Sequence, residues 1–217
     1  MSPRGLSYWL GSRLYVAVTN RSNAVPLIEM RGPGFKMPSE SGFEPLASEP
    51  SAQDIFDVVD AAYAGDERKR IIGMGEDDQG VTYGGLGEPL LRLDVVAESA
   101  QLIRDKRHGV PLRLRTNGLV PEGQNGSAVS KLVEAGIKDV SVFFPGADPP
   151  SFDAAYGKLE DPNIGFGSFC DFVAQLSDAG VNVECTTVTK PGIDVAAVRQ
   201  LAEALGAVSC RPVPYFE

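Results

Sequence analysis

The chain has 217 residues, 43% of them hydrophobic and 23% charged, which is enough for a self-sufficient core and excludes disordered, collagenous and disulfide-dependent mini-protein classes. Twenty Lys and Arg against 29 Asp and Glu leave a net charge of −9, which disfavours nucleic acid and anionic membrane surfaces as partners. Three cysteines and one histidine, none at the spacing of a zinc or iron–sulfur motif, exclude a disulfide framework and point to a reducing compartment.

At the N-terminus, MSPRGLSYWLGSRLYVAV contains no continuous apolar stretch followed by a small-residue cleavage site, and no apolar run approaches the roughly 18 residues of a membrane span. The expectation is a soluble protein, cytoplasmic, or organellar if this N-terminus is a processed one. Residues 1–36 carry Arg4, Arg13, Arg21, Arg31 and Lys36 against Glu29 alone. Such a basic stretch reads first as solvated surface and second as a face for an acidic partner or a small anion.

The first strand is predicted at 13–19 (RLYVAVT). Residues 32–50 follow, with four Pro, three Gly and little periodicity, and read as a long loop. After a parallel strand such a loop lies over the C-terminal mouth of the fold. A helix is predicted over 51–63, with Ser51 as N-cap and Ile55, Val58, Val59 and Ala62 on one face. Glu76, Asp77 and Asp78 read as an exposed acidic turn in preference to a divalent-cation site. The second strand falls at 80–85, with 70–74 as the alternative.

Helices at 94–107, 127–135, 167–179 and 194–205 alternate with strands at 111–116, 139–144, 181–189 and 208–213. Gly136, Gly180 and Gly206 punctuate three helix ends. His108, beside Arg107 at a helix end, suits the helix dipole and not catalysis. Cys170, Cys185 and Cys210 read as small buried hydrophobes. The alternation is that of βα units on a parallel sheet. Six units, in a single domain spanning 1–217 with 32–50 as an insertion, are too few for a closed eight-stranded barrel. They suit an open three-quarter barrel of the (β/α)6 type with helices outside.

One motif sharpens this expectation. Gly85-Leu86-Gly87-Glu88-Pro89-Leu90-Leu91-Arg92 joins the second strand to a helix and resembles the glycine–glutamate motif with which radical-SAM enzymes hold the amino group of S-adenosylmethionine. Glycines let the backbone approach a ligand, and a carboxylate accepts hydrogen bonds from an ammonium group. Tyr8-Trp9-Leu10-Gly11, Thr19-Asn20-Arg21, Thr116-Asn117-Gly118, Pro191-Gly192-Ile193-Asp194 and Arg211-Pro212 accompany it in order. Together they are similar to the TatD-associated radical-SAM proteins. The resemblance implies a ligand corner of Gly85, Gly87, Glu88, Asn117 and Ser141, with S-adenosylmethionine as the ligand it would take.

The same resemblance exposes a loss. In that family Thr-Asn-Arg runs into a C-x3-C-x2-C motif whose thiolates hold a [4Fe-4S] cluster, whereas here the three positions are Ser22, Pro26 and Glu29. Proline has no donor atom, and hard oxygen is a poor substitute for thiolate. No metal and no catalytic residue is therefore expected. Relatives carry polar residues along the fourth strand where this chain has Phe143 and Pro145; Phe143 and Phe144 also read simply as the two faces of a buried strand.

The expected function is a non-catalytic binding or scaffold protein, a subunit of a larger complex, with the mouth filled by Phe143 and the long loop. The alternative is a cluster-independent enzyme binding S-adenosylmethionine or a similar small ligand at the Gly85–Arg92 corner. In that case Gly85, Gly87 and Glu88 line an open cavity near Asn117 and Ser141.

Overall fold

The computed structural model describes residues 4–64, 79–157 and 159–217. The acidic run at 76–78 and the alternative strand at 70–74 lie outside the described residues. Strands β1 (Ser7–Leu10), β2 (Arg13–Ala17), β3 (Val81–Gly84), β4 (Leu112–Thr116), β5 (Asp139–Phe143), β6 (Asn182–Val188) and β7 (Ser209–Val213) form one sheet in that order. All neighbours from β2 to β7 are parallel. Because β1 and β7 remain as the two edges, the barrel is open.

The six parallel strands are those expected, and β1 is an addition. It returns antiparallel on β2 through Gly11 and Ser12, with Leu10 opposite Arg13, the two-residue loop beginning with glycine that tight hairpins favour. Tyr8 pairs with Tyr15 across this ladder, their rings stacked 5.0 Å apart.

Around the sheet run α1 (Leu27–Met30), α2 (Ala52–Tyr63), α3 (Leu93–Lys106), α4 (Asn125–Glu134), α5 (Pro149–Tyr156), α6 (Phe166–Asp178) and α7 (Val195–Ala204). Ser51 caps α2 by accepting from the Asp54 N–H, and the Asp54 side chain answers by accepting from the Ser51 N–H. This capping box leaves Ala52, Ile55, Val59 and Tyr63 buried. The short α5 escapes the periodicity because it is only two turns long and opens on Pro149 and Pro150. Asp148 starts it by accepting from the Ser151 N–H.

Register divides the strand side chains into two sets. Leu14, Val81 and Leu112 align across β2 to β4, as do Val16, Tyr83, Leu114, Val140 and Val183 across β2 to β6. These are buried under the helices; Tyr83, for instance, meets Ser99 of α3 through a 3.0 Å hydrogen bond between hydroxyls. The other set faces the lumen and is largely polar: Tyr15, Thr82, Arg113 and Asp139 form one row, and Arg115, Ser141, Glu184 and Ser209 the next. Ordinary burial, at roughly 1.5–3 kcal/mol for each large apolar side chain, holds the outer set. The inner set is free to carry chemistry.

Candidate functional site

The C-terminal ends of the strands open into a cavity of about 250 Å3. Its lining takes Ser22 and Pro26 from the segment after β2, Gly84 to Glu88 from the end of β3, Arg115 to Asn117 from β4, Ser141 and Phe143 from β5, and Thr186 from β6. Phe35, Lys36, Met37 and Pro38 of the long loop form part of the wall, so that loop does lie at the mouth. It covers the mouth without plugging it. The filled mouth that the scaffold reading expects is thus not what the structure has. Phe143 belongs to the wall, edge-on to Tyr156 at 6.2 Å between ring centres, and Phe144 turns outward against Phe169 at 5.0 Å.

A web of polar contacts fixes the rim. Arg92 Nη1 donates to Val18 O and Pro50 O, both at 2.8 Å. Glu49 accepts from Thr19 Oγ1 at 2.6 Å and Arg21 Nε at 3.0 Å. Asn20 exchanges two bonds with the Leu46 backbone. The Thr-Asn-Arg triplet therefore ties the end of β2 to the long loop. Gly87 sits so close to this strand end that an added Cβ would lie 2.4 Å from Arg21 O and 2.5 Å from Thr19 O, which explains the glycine by backbone approach alone.

All five residues of the implied ligand corner reach this cavity, together with Ser22 and Pro26. Glu29 is exposed on α1, outside the lining. Yet the polar atoms of the corner are largely committed. Glu88 is 3% exposed; one carboxylate oxygen accepts from Thr116 Oγ1 at 2.7 Å and Leu90 N at 2.9 Å, the other from Asn117 N at 2.7 Å. Burial pushes its carboxyl up to about 7 despite those three bonds. The Asn117 amide donates to Asn23 Oδ1 and accepts from Leu119 N. Ser141 Oγ donates to Glu184 Oε1 at 3.1 Å and lies 2.9 Å from Thr186 Oγ1.

The three cations of the lining, Arg31, Lys36 and Arg115, are not among the site residues expected from the sequence. The first two were read as basic surface. The third sits in LRLRT at 112–116, an alternation that ordinarily sends the charged residues to solvent. In an open barrel that polar face is the lumen. The signal available was the alternation itself, once the strand is placed inside a barrel.

No family model and no curated protein matches the chain. Among solved structures it resembles Streptococcus suis SuiB bound to S-adenosylmethionine, with a TM-score of 0.65 and 10% identity over 96% of this chain and 40% of that one. It also resembles native anSMEcpe with bound AdoMet, with a TM-score of 0.62 and 13% identity over 94% of this chain and 51% of that one. The chain therefore spans about half or less of the length of these structures. At such identities the likeness establishes the fold alone, an open α/β barrel shared with those two structures.

Proposed function

We propose that this chain is a radical-SAM-like barrel that holds no [4Fe-4S] cluster and acts as a non-catalytic binding protein for a small molecule at the barrel mouth. The observation that carries this reading is the composition of the cavity lining, where Ser22 and Pro26 stand and no thiol does. Iron–sulfur clusters are held by soft thiolates, and neither residue supplies one. Cys170 lies on α6, while Cys185 and Cys210 sit side by side on β6 and β7. Among the described residues no three His, Cys, Asp or Glu side chains converge. Without the cluster the fold lacks the group that would supply one-electron chemistry, while the cavity remains.

Anaerobic reconstitution with iron and sulfide tests the first half. Substoichiometric iron is expected, and about four irons per chain with an intact charge-transfer spectrum would refute the reading. The second half is tested by the titrations described below.

A scaffold role in a larger assembly is the second reading. It is favoured by β7, whose outer edge pairs with no strand among the described residues, and by Val208 just before it, 68% exposed. Co-elution with another chain at native concentration, combined with no small-molecule binding, selects it.

A further inference from the structure

The cavity lining holds three cations, Arg31, Lys36 and Arg115, and one carboxylate, Glu88. That carboxylate is sunk in three hydrogen bonds from its own chain. Among the described residues, none of the three cations forms an ion pair. The lumen carboxylates outside this lining are already engaged, Asp139 by Arg113 at 3.5 Å and Glu184 by Arg211 at 3.0 Å.

Arg31 is held in place without being neutralised. Its guanidinium lies 3.9 Å from the Phe35 ring centre and 5.2 Å from that of Phe216, and its one hydrogen bond among the described residues runs to Pro214 O at 3.4 Å. A guanidinium has five N–H donors, so most of its capacity is unspent. The Arg115 guanidinium lies 6.0 Å from the Tyr15 ring centre and makes no side-chain hydrogen bond among the described residues. Burial, and then the charges of Arg115 and Arg211, hold Arg31 below its ordinary range, the sign of a cationic neighbourhood without its counter-charge.

We infer that the mouth cavity takes a small organic oxyanion, a phosphate ester or polycarboxylate of net charge −2 or more, with its charged end on Arg31, Lys36 and Arg115. This rests on the small-molecule reading above and names the ligand class. S-adenosylmethionine fits poorly by charge: its ammonium and sulfonium outweigh its single carboxylate, and the cavity opposes a net cation. Val25, Leu27, Ile28, Phe35, Met37 and Phe143 supply the apolar wall for the body of the ligand. Paired charge-assisted bonds from guanidinium to phosphate or carboxylate are the strong ones, and a mostly apolar wall with a few convergent polar groups is how small-molecule sites are built.

Calorimetric titration of the chain with pyrophosphate, adenosine 5′-monophosphate, adenosine and S-adenosylmethionine tests this, the adenosyl body being chosen because SuiB and anSMEcpe are seen with it. Adenosine 5′-monophosphate and pyrophosphate are expected to bind about tenfold or more tighter than adenosine and S-adenosylmethionine. Their affinity should fall as salt is raised. Arg115→Met and Lys36→Met should each remove most of this preference and leave the melting curve unchanged; Lys36 is exposed on a loop, so its replacement tests the site without touching the core. Adenosine or S-adenosylmethionine binding as tightly as the phosphates overturns the oxyanion inference and leaves the small-molecule reading standing. Binding of none of the four overturns both.

Discussion

Two regions of the barrel lumen use the same residue types to opposite effect. Away from the mouth, Arg113 faces Asp139 at the start of β5; in the middle row, level with Arg115, Glu184 is faced by Arg211, and Ser141 adds a hydrogen bond to its carboxylate. Each carboxylate there has a cation from its own chain. At the mouth, three cations converge and the single carboxylate is consumed by backbone and hydroxyl donors. Arg113 and Arg211 thus spend their charge within the chain, whereas Arg31, Lys36 and Arg115 form no ion pair among the described residues.

Glycine substitutions give the largest expected contrast. Gly87→Ala drives a Cβ against two backbone oxygens at 2.4 and 2.5 Å, and backbone joined to the rim web cannot retreat cheaply. A loss of about 3 kcal/mol or more is expected, a fall in Tm of roughly 10 °C for a chain of this size. Gly11→Ala, in the hairpin at the other end, meets nothing within 4 Å and has only its φ of +62° against it, so about 1 kcal/mol is expected. Equal shifts in the two melting curves would remove the special tightness of the mouth.

The pH dependence separates the two regions next. Glu88 has its carboxyl pushed up to about 7 by burial, from an ordinary 4.5. The folded state then keeps a proton that the unfolded chain releases, so stability falls as pH rises from about 4.5 to 7, by roughly 3 kcal/mol in total. Glu88→Gln should flatten that limb in urea titrations run at several pH values. Glu184 behaves oppositely. Burial alone would raise its carboxyl, but the Arg211 guanidinium, with Ser141 and Arg13, outweighs burial and holds it below 4.5. Its contribution is present above that value and is lost as pH falls through the lowered one. A curve that rises between pH 4.5 and 7 would reverse the assignment of Glu88.

The smallest effects concern single charges. Asp139→Asn removes a pair whose side chains are 30% and 32% exposed, and should cost about 1 kcal/mol or less. Arg115→Met should cost nothing in stability, since it relieves repulsion with Arg31. A clear loss in the second variant would mean that Arg115 has a partner within the fold.

Much of this architecture was legible because βα units write their period plainly. The six parallel strands fall within the strand runs expected at 13–19, 80–85, 111–116, 139–144, 181–189 and 208–213, and α2 presents a face of Ile55 and Val59 behind Ser51. The hairpin strand β1 lies outside the βα period, because it precedes the first unit and joins β2 through a two-residue turn with no helix between them. At the site, Gly85, Gly87, Glu88, Asn117, Ser141, Ser22 and Pro26 do come to one cavity, since motif spacing fixes which strand end each occupies. What spacing could not show was that Glu88 and Asn117 spend their polar atoms on neighbouring backbone and side chains. Nor could it gather Arg31, Lys36 and Arg115, which come from a short helix, a loop and a strand and meet only in three dimensions.

The pairing of Cys185 with Cys210 makes the open edge of the barrel measurable. The two sulfurs face each other across β6 and β7, 3.2 Å apart. Cys185 is fully buried, and burial, with Cys210 next, drives its thiol far up from its ordinary range. A protonated, covered thiol does not react with alkylating reagents. Only when the last strand lifts from its neighbour does that sulfur meet solvent, so the rate at which iodoacetamide consumes it counts the openings of the barrel's free side.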